Sequence, residues 1–172
     1  MPGTPHTLQE RGMNILLLCA LLLSGCAATT LTLPPLDAQP VQAQFGLRFN
    51  SAGMSLPLQG AVHMAENAGS LGVIFPHGRT LGVCRYQGGG MECTLAGEKK
   101  SGTRFMLRQI GLAVYRILPA LTRESPRNAH QDIIGTDWAV RWKQTDAGRS
   151  AEYRDLSNHV TIDMHFTEIS WP

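Results

Sequence analysis

Charge is scarce in this chain. Asp, Glu, Lys and Arg make up 16% of its 172 residues and the formal net charge is +2, so no single-signed field exists to steer nucleic acid or another polyanion. Aromatic residues are also few, at 6%. No apolar run reaches the roughly 20 residues that a helix needs to cross a hydrocarbon core; the strongest, from Ile15 to Leu23, is far shorter. Catalytic signatures are missing as well. There is no Gly-x-Ser-x-Gly and no Ser-x-x-Lys, which removes the familiar nucleophile settings. Gly88-Gly89-Gly90 falls inside a predicted hairpin and not between a strand and a helix, so it reads as a turn and not as a phosphate loop. No catalytic residue, metal or cofactor is assigned from the sequence, and a non-enzymatic role is expected.

What is present begins at the N-terminus. The leucine run after Arg11 and Asn14, ending in small residues, reads as the apolar core of a secretory signal. Met13-Asn14 leads straight into the run and is an alternative start. The tetrapeptide Leu23-Ser24-Gly25-Cys26 resembles the lipobox of bacterial lipoproteins. That resemblance implies removal of residues 1–25 as a signal peptide and attachment of a diacylglyceryl group, with palmitate-type chains, to Cys26. Two or three acyl chains make such an anchor stable. The bland alternative is an ordinary export signal with an incidental Cys26. Ala27, where an acidic residue would favour the inner membrane, implies the periplasmic face of the outer membrane. Residues 26–40 carry Pro34, Pro35 and Pro40 and the single charge of Asp37; they read as an extended, flexible tether. Residues 41–172 are one domain's worth of chain.

Within that domain, apolar residues first recur with period two. Val41, Ala43, Phe45, Leu47 and Phe49 share one face of a first strand, and Leu58, Gly60, Val62 and Met64 share one face of a second. Leu71–Phe75 gives a third. Leu81–Leu95 reads as a hairpin around Gln87-Gly88-Gly89-Gly90, which sets Tyr86 opposite Met91, Arg85 opposite Glu92 and Cys84 opposite Cys93. Directly opposed Cβ atoms lie about 4.5–5.5 Å apart, so a Cys84–Cys93 cross-strand disulfide is predicted. A zinc or redox pair is the weaker alternative, because no further soft ligand and no Cys-x-x-Cys spacing is present.

The period then changes to three and four over Thr103–Arg123, with Met106, Ile110, Ala113, Val114, Ile117, Leu118 and Leu121 on one stripe. This predicts an amphipathic helix with Arg104, Arg108 and Arg116 toward water. It is expected to break near Arg116–Leu118, with Pro119 opening a short second helix. Phe105, Leu107 and Leu112 fall outside the stripe. Two readings stand open: plain packing of the helix on a concave sheet, or a lid over an apolar cavity. Residues 122–131 read as a polar loop. Trp138, Val140 and Trp142, then Ser150–Leu156, then Val160, Ile162, Met164 and Phe166 give the closing strands. His159, Asp163 and His165 share a parity, but the histidines are six residues apart, roughly 20 Å along a strand; a solvated outer face explains them better than a metal site.

The expected class is α+β: seven or eight antiparallel strands in a curved, open sheet with a helical insert on its concave face. The stretches LPLQGAVHM, LGVIFPHGRTLGVCRYQGGGMEC, FMLRQIGLAVYRILPAL and WAVRW with AEYRDLSNHVTIDMHFTEI resemble, in kind and order, a family of bacterial outer-membrane lipoproteins encoded among aryl-polyene or fatty-acid-type biosynthesis genes. That family is similar in layout to the LolA/LolB lipoprotein carriers, an open half-barrel with helices over a hydrophobic cavity. The resemblance implies a lipid-anchored protein that binds or transfers an acyl or polyene lipid, or the acyl chains of a lipoprotein, in exchange with a periplasmic carrier. Candidate cavity-lining residues are Phe45, Leu47, Phe49, Val62, Val73, Phe75, Met106, Ile110, Val114, Trp138, Val140 and Trp142. The other function class is a structural lipoprotein that scaffolds an envelope complex through a sheet edge or hairpin.

Overall fold

The computed structural model describes residues 31–33, 40–66, 68–97, 101–121, 130–146 and 148–171. The expected signal segment, Cys26, residues 34–39 of the tether and residues 122–129 of the polar loop lie outside the described residues. The elements are β1 (Leu31–Thr32), β2 (Val41–Ser51), β3 (Met54–Ala65), β4 (Ala68–Ile74), β5 (Thr80–Gln87), β6 (Gly90–Leu95), α1 (Ser101–Ile117), a 3-10 turn (Leu118–Ala120), β7 (His130–Ile134), β8 (Trp138–Thr145), β9 (Gly148–Asp155) and β10 (Val160–Ser170).

All ten strands form one antiparallel sheet in the order β1-β6-β5-β4-β3-β2-β10-β9-β8-β7. Two meanders, β2–β6 and β7–β10, meet where β2 pairs with β10. The sheet is unclosed: among the described residues β1 pairs only with β6 and β7 only with β8. Helix α1 is the connection between the two meanders, and it touches β5 and β6 in one and β8, β9 and β10 in the other. A single helix reaches both wings because the sheet curves around it.

Alternation decides which face meets the helix. In β2, Val41, Ala43, Phe45, Leu47 and Phe49 are at most 4% exposed, whereas Gln42, Gln44 and Arg48 face water. The same rule buries Leu58, Val62 and Met64 on β3, Leu71 and Val73 on β4, and Ile162, Met164 and Phe166 on β10. Pro57 is tolerated inside β3 because β4 pairs with β3 only from Gln59 onward, so the proline meets no ladder on that side.

Several expectations change. The described residues form ten strands, not seven or eight. Three tether residues are docked: Leu31 and Thr32 pair with Met91 and Gly90, and Leu33 is buried. His130 and Gln131, expected in a loop, begin edge strand β7. The helix breaks where Pro119 predicts, but the second helix is only one 3-10 turn, Leu118–Ala120. Leu107 and Leu112, off the main stripe, are buried because α1 has sheet on more than one side; Phe105 alone of the three stays out, at 38% exposed. Arg116 is half-buried instead of facing water.

Candidate functional site

The inner face of the sheet, beneath the helix, gathers the residues singled out from the sequence. Phe45, Leu47, Phe49, Val62, Val73, Met106, Ile110, Val114, Val140 and Trp142 are all buried members of one core cluster, with Phe75 and Trp138 packed against it, half-exposed. Rings meet at its centre: Phe45 and Phe166 lie 5.3 Å apart and Trp142 and Phe166 5.5 Å, the latter edge-on.

Cys84 and Cys93 face each other across β5 and β6 and are bonded, with Cα atoms 4.0 Å apart. The neighbouring pairs Tyr86–Met91 and Arg85–Glu92 stand in the predicted register. The helix sits directly on this hairpin. Tyr86 donates its hydroxyl to the Gly111 carbonyl at 2.9 Å, and its ring lies 5.6 Å from that of Tyr115. Burial raises the Tyr86 hydroxyl pKa far above its ordinary value, the neighbouring Tyr115 adding to it.

On the other wing, the Arg116 guanidinium lies 4.4 Å from the centre of the Trp138 ring and donates to the Tyr153 hydroxyl. Tyr153 is fully buried. Burial pushes its pKa up to about 12, against the opposing pull of Arg116. A cation stacked on tryptophan gains about 0.5–2 kcal/mol, more as water is excluded. Arg116 therefore pins the last turn of α1 to β8 and β9.

Polar atoms of the inner face are unevenly satisfied. Gln109 Oε1 on α1, Trp142 Nε1 and Gln144 Oε1 on β8, and Arg149 Nη1 on β9 are buried without a hydrogen-bond partner among the described residues. Each such group costs about 1–3 kcal/mol. The last three are neighbours: Gln144 is directly opposite Arg149, and Trp142 is opposite Ala151, two residues along. The Arg149 guanidinium lies 5.0 Å from the centre of the Trp171 ring, and burial lowers its pKa. Arg149 lies just before the strand read from the sequence over Ser150–Leu156; its shared parity with Ala151 and Tyr153 is the signal that places it on the inward face.

A recess of about 320 Å³ lies on the outer face, among Gln42, Gln44, His63, Ser70, Glu168 and Ser170. Ala43, Ala61 and Val62 complete its lining, so its wall is mixed, and it lies beside a bulge between Phe166 and Glu168 on β10. Asp163 and His165 are exposed on this outer side, and Asp163 accepts a bond from Asn50. His159 lies in the preceding turn with φ of 52° and is not part of β10. Among the described residues, no three His, Cys, Asp or Glu side chains gather where they could hold a metal ion, and no helix is long and apolar enough to cross a membrane. No protein-family model matches the chain, and no curated protein does.

Proposed function

We propose that this chain is a lipoprotein, anchored through Cys26 on the periplasmic face of the outer membrane, that binds or hands on a hydrophobic ligand without catalysis. The ligand class is an acyl or polyene lipid, or the acyl chains of a lipoprotein, and the LolA/LolB-like layout belongs to the same reading. The observation that carries it is the unclosed sheet. Its apolar inner wall is covered by one 17-residue helix and not by strand pairing, so helix contacts are what an acyl chain would replace. Burial of a chain there yields about 25 cal/mol per Å² of apolar surface. Labelling cells with radioactive palmitate tests the anchor: the label enters the chain and is lost in Cys26→Ser. Titrating the detergent-extracted chain with a fluorescent fatty acid tests the ligand. Saturable binding supports the carrier, and its absence overturns it.

A structural or assembly lipoprotein is the second reading. Edge strand β7 carries Ile134, 78% exposed, on the kind of open edge that a partner strand could extend. A protein partner retained in pull-downs, together with no lipid uptake, would favour it.

A further inference from the structure

We infer that the buried Trp142 and the half-buried Gln144 and Arg149 form a receptor for the acidic headgroup of a long-chain amphiphile, a site that rests on the carrier reading above and names the chemistry of its cargo. Three observations converge. Along β8 and β9 the inward-facing residues share a parity, and Val140, Trp142, Ala151 and Tyr153 on it are at most 4% exposed. Gln144 and Arg149 continue those two rows and oppose each other. The inward side chains at this end of the two strands are thus polar, where those further along are mostly apolar.

Arg149 Nη1, Trp142 Nε1 and Gln144 Oε1 are buried atoms with no protein partner among the described residues. Arg149 Nη1 and Trp142 Nε1 are donors, and Trp142 is 1% exposed. Gln144 presents an amide whose oxygen and nitrogen are interchangeable by rotation, so it can accept from a protonated carboxyl or donate to a carboxylate. A guanidinium and an indole N–H on adjacent strands match the two oxygens of a planar acid. Arg116 does not compete for this role, since its guanidinium is engaged with Trp138 and Tyr153.

The surroundings select an amphiphile over a free anion. Arg149 faces Phe166 across β10, Phe166 meets the Trp142 ring, and the Trp171 ring covers the guanidinium. Trp171 reaches this position because the bulge at Thr167 reverses the parity of β10, turning Ile169 inward after Phe166. Its indole N–H donates to the Leu121 carbonyl at 3.1 Å, which ties the cover to the end of the helical segment. An acid group seated on Arg149 would send its chain along Phe166 and Trp142 toward the apolar part of the inner face.

The test compares oleate with oleyl alcohol on the full chain extracted in CHAPS, read by tryptophan fluorescence and checked by calorimetry. The site predicts oleate to bind at least about tenfold more tightly, or about 1.4 kcal/mol. Arg149→Gln removes that preference, whereas Arg149→Lys keeps part of it. Sodium acetate at matched concentration gives no signal. Equal affinity of the wild type for oleate and oleyl alcohol would overturn the headgroup site while leaving the carrier standing; this comparison needs no variant to fold. A preference that survives in Arg149→Gln, or acetate binding as tightly as oleate, would also overturn the site. Binding of neither long-chain ligand would overturn the carrier reading itself.

Discussion

Gly111 and Cys84 are in close approach: a Cβ on Gly111 would lie 2.9 Å from Cys84 Sγ and 2.8 Å from Met91 Sδ. The helix can rest on the bonded hairpin only because that position lacks a side chain. Gly82 provides the matching gap on β5, where a Cβ would meet Leu107 Cδ2 at 2.5 Å. Glycine in a helix interior costs about 1 kcal/mol relative to alanine, so the close seat must return more than that.

Gly111→Val is therefore expected to destabilise the domain by about 1–3 kcal/mol through overpacking. Thermal unfolding followed by circular dichroism measures it. Gly72→Val is the control, since a Cβ there meets nothing within 4 Å, and its melting temperature should hold or rise.

The disulfide stabilises the same hairpin. With a sequence separation of 9 residues, the chain-entropy model gives about 2–3 kcal/mol. Melting in dithiothreitol should lower the transition temperature of the wild type by the amount that Cys84→Ala with Cys93→Ala lowers it, and reductant should do nothing further to that double variant. A wild type indifferent to reductant would show that the bond adds no stability.

Alkaline pH should loosen the core. The ordinary tyrosine pKa is 10.0 and burial raises Tyr153 to about 12. The folded state thus holds this proton more tightly than the unfolded chain. Its contribution is full below pH 10 and is lost as pH rises through about 12. Melting temperature should be flat below pH 10 and fall between pH 10 and 12. Tyr153→Phe should make the fall shallower, and Tyr86→Phe should do the same, since burial raises Tyr86 as well.

The stack of Arg116 on Trp138 should be measurable in urea. Trp138→Leu is expected to lose about 0.5–2 kcal/mol. Arg116→Lys should lose a comparable amount, because an ammonium does not reproduce the planar stack and fork. An unchanged midpoint in both variants would mean that α1 is held without this contact.

Much of the sheet is legible in the sequence because one face of each strand is apolar and the other polar. The runs from Val41 to Phe49 and from Val160 to Phe166 give their strands directly, and the length of the glycine loop sets the Cys84–Cys93 register. The features that escape have local causes. β1 and β7 are edge strands whose pairing comes from β6 and β8 and not from their own pattern. The bulge at Thr167 breaks the alternation of β10, so parity alone does not give the inward turn of Trp171. Arg116 carries a charge that a helical wheel sends to water, yet Trp138 and Tyr153 on a distant strand pair draw it inward. The cluster at Arg149 depends on two strands meeting in register, which no single stretch of sequence contains.

Native mass spectrometry of the full chain extracted from envelopes, before and after organic extraction, tests the carrier role most directly. A carrier should show an added mass that extraction removes, separate from the covalent acyl mass that the proposed anchor at Cys26 would add, and fragmentation of the removable mass would identify the cargo. A single mass, unchanged by extraction and with no uptake of added fatty acid, would contradict the role.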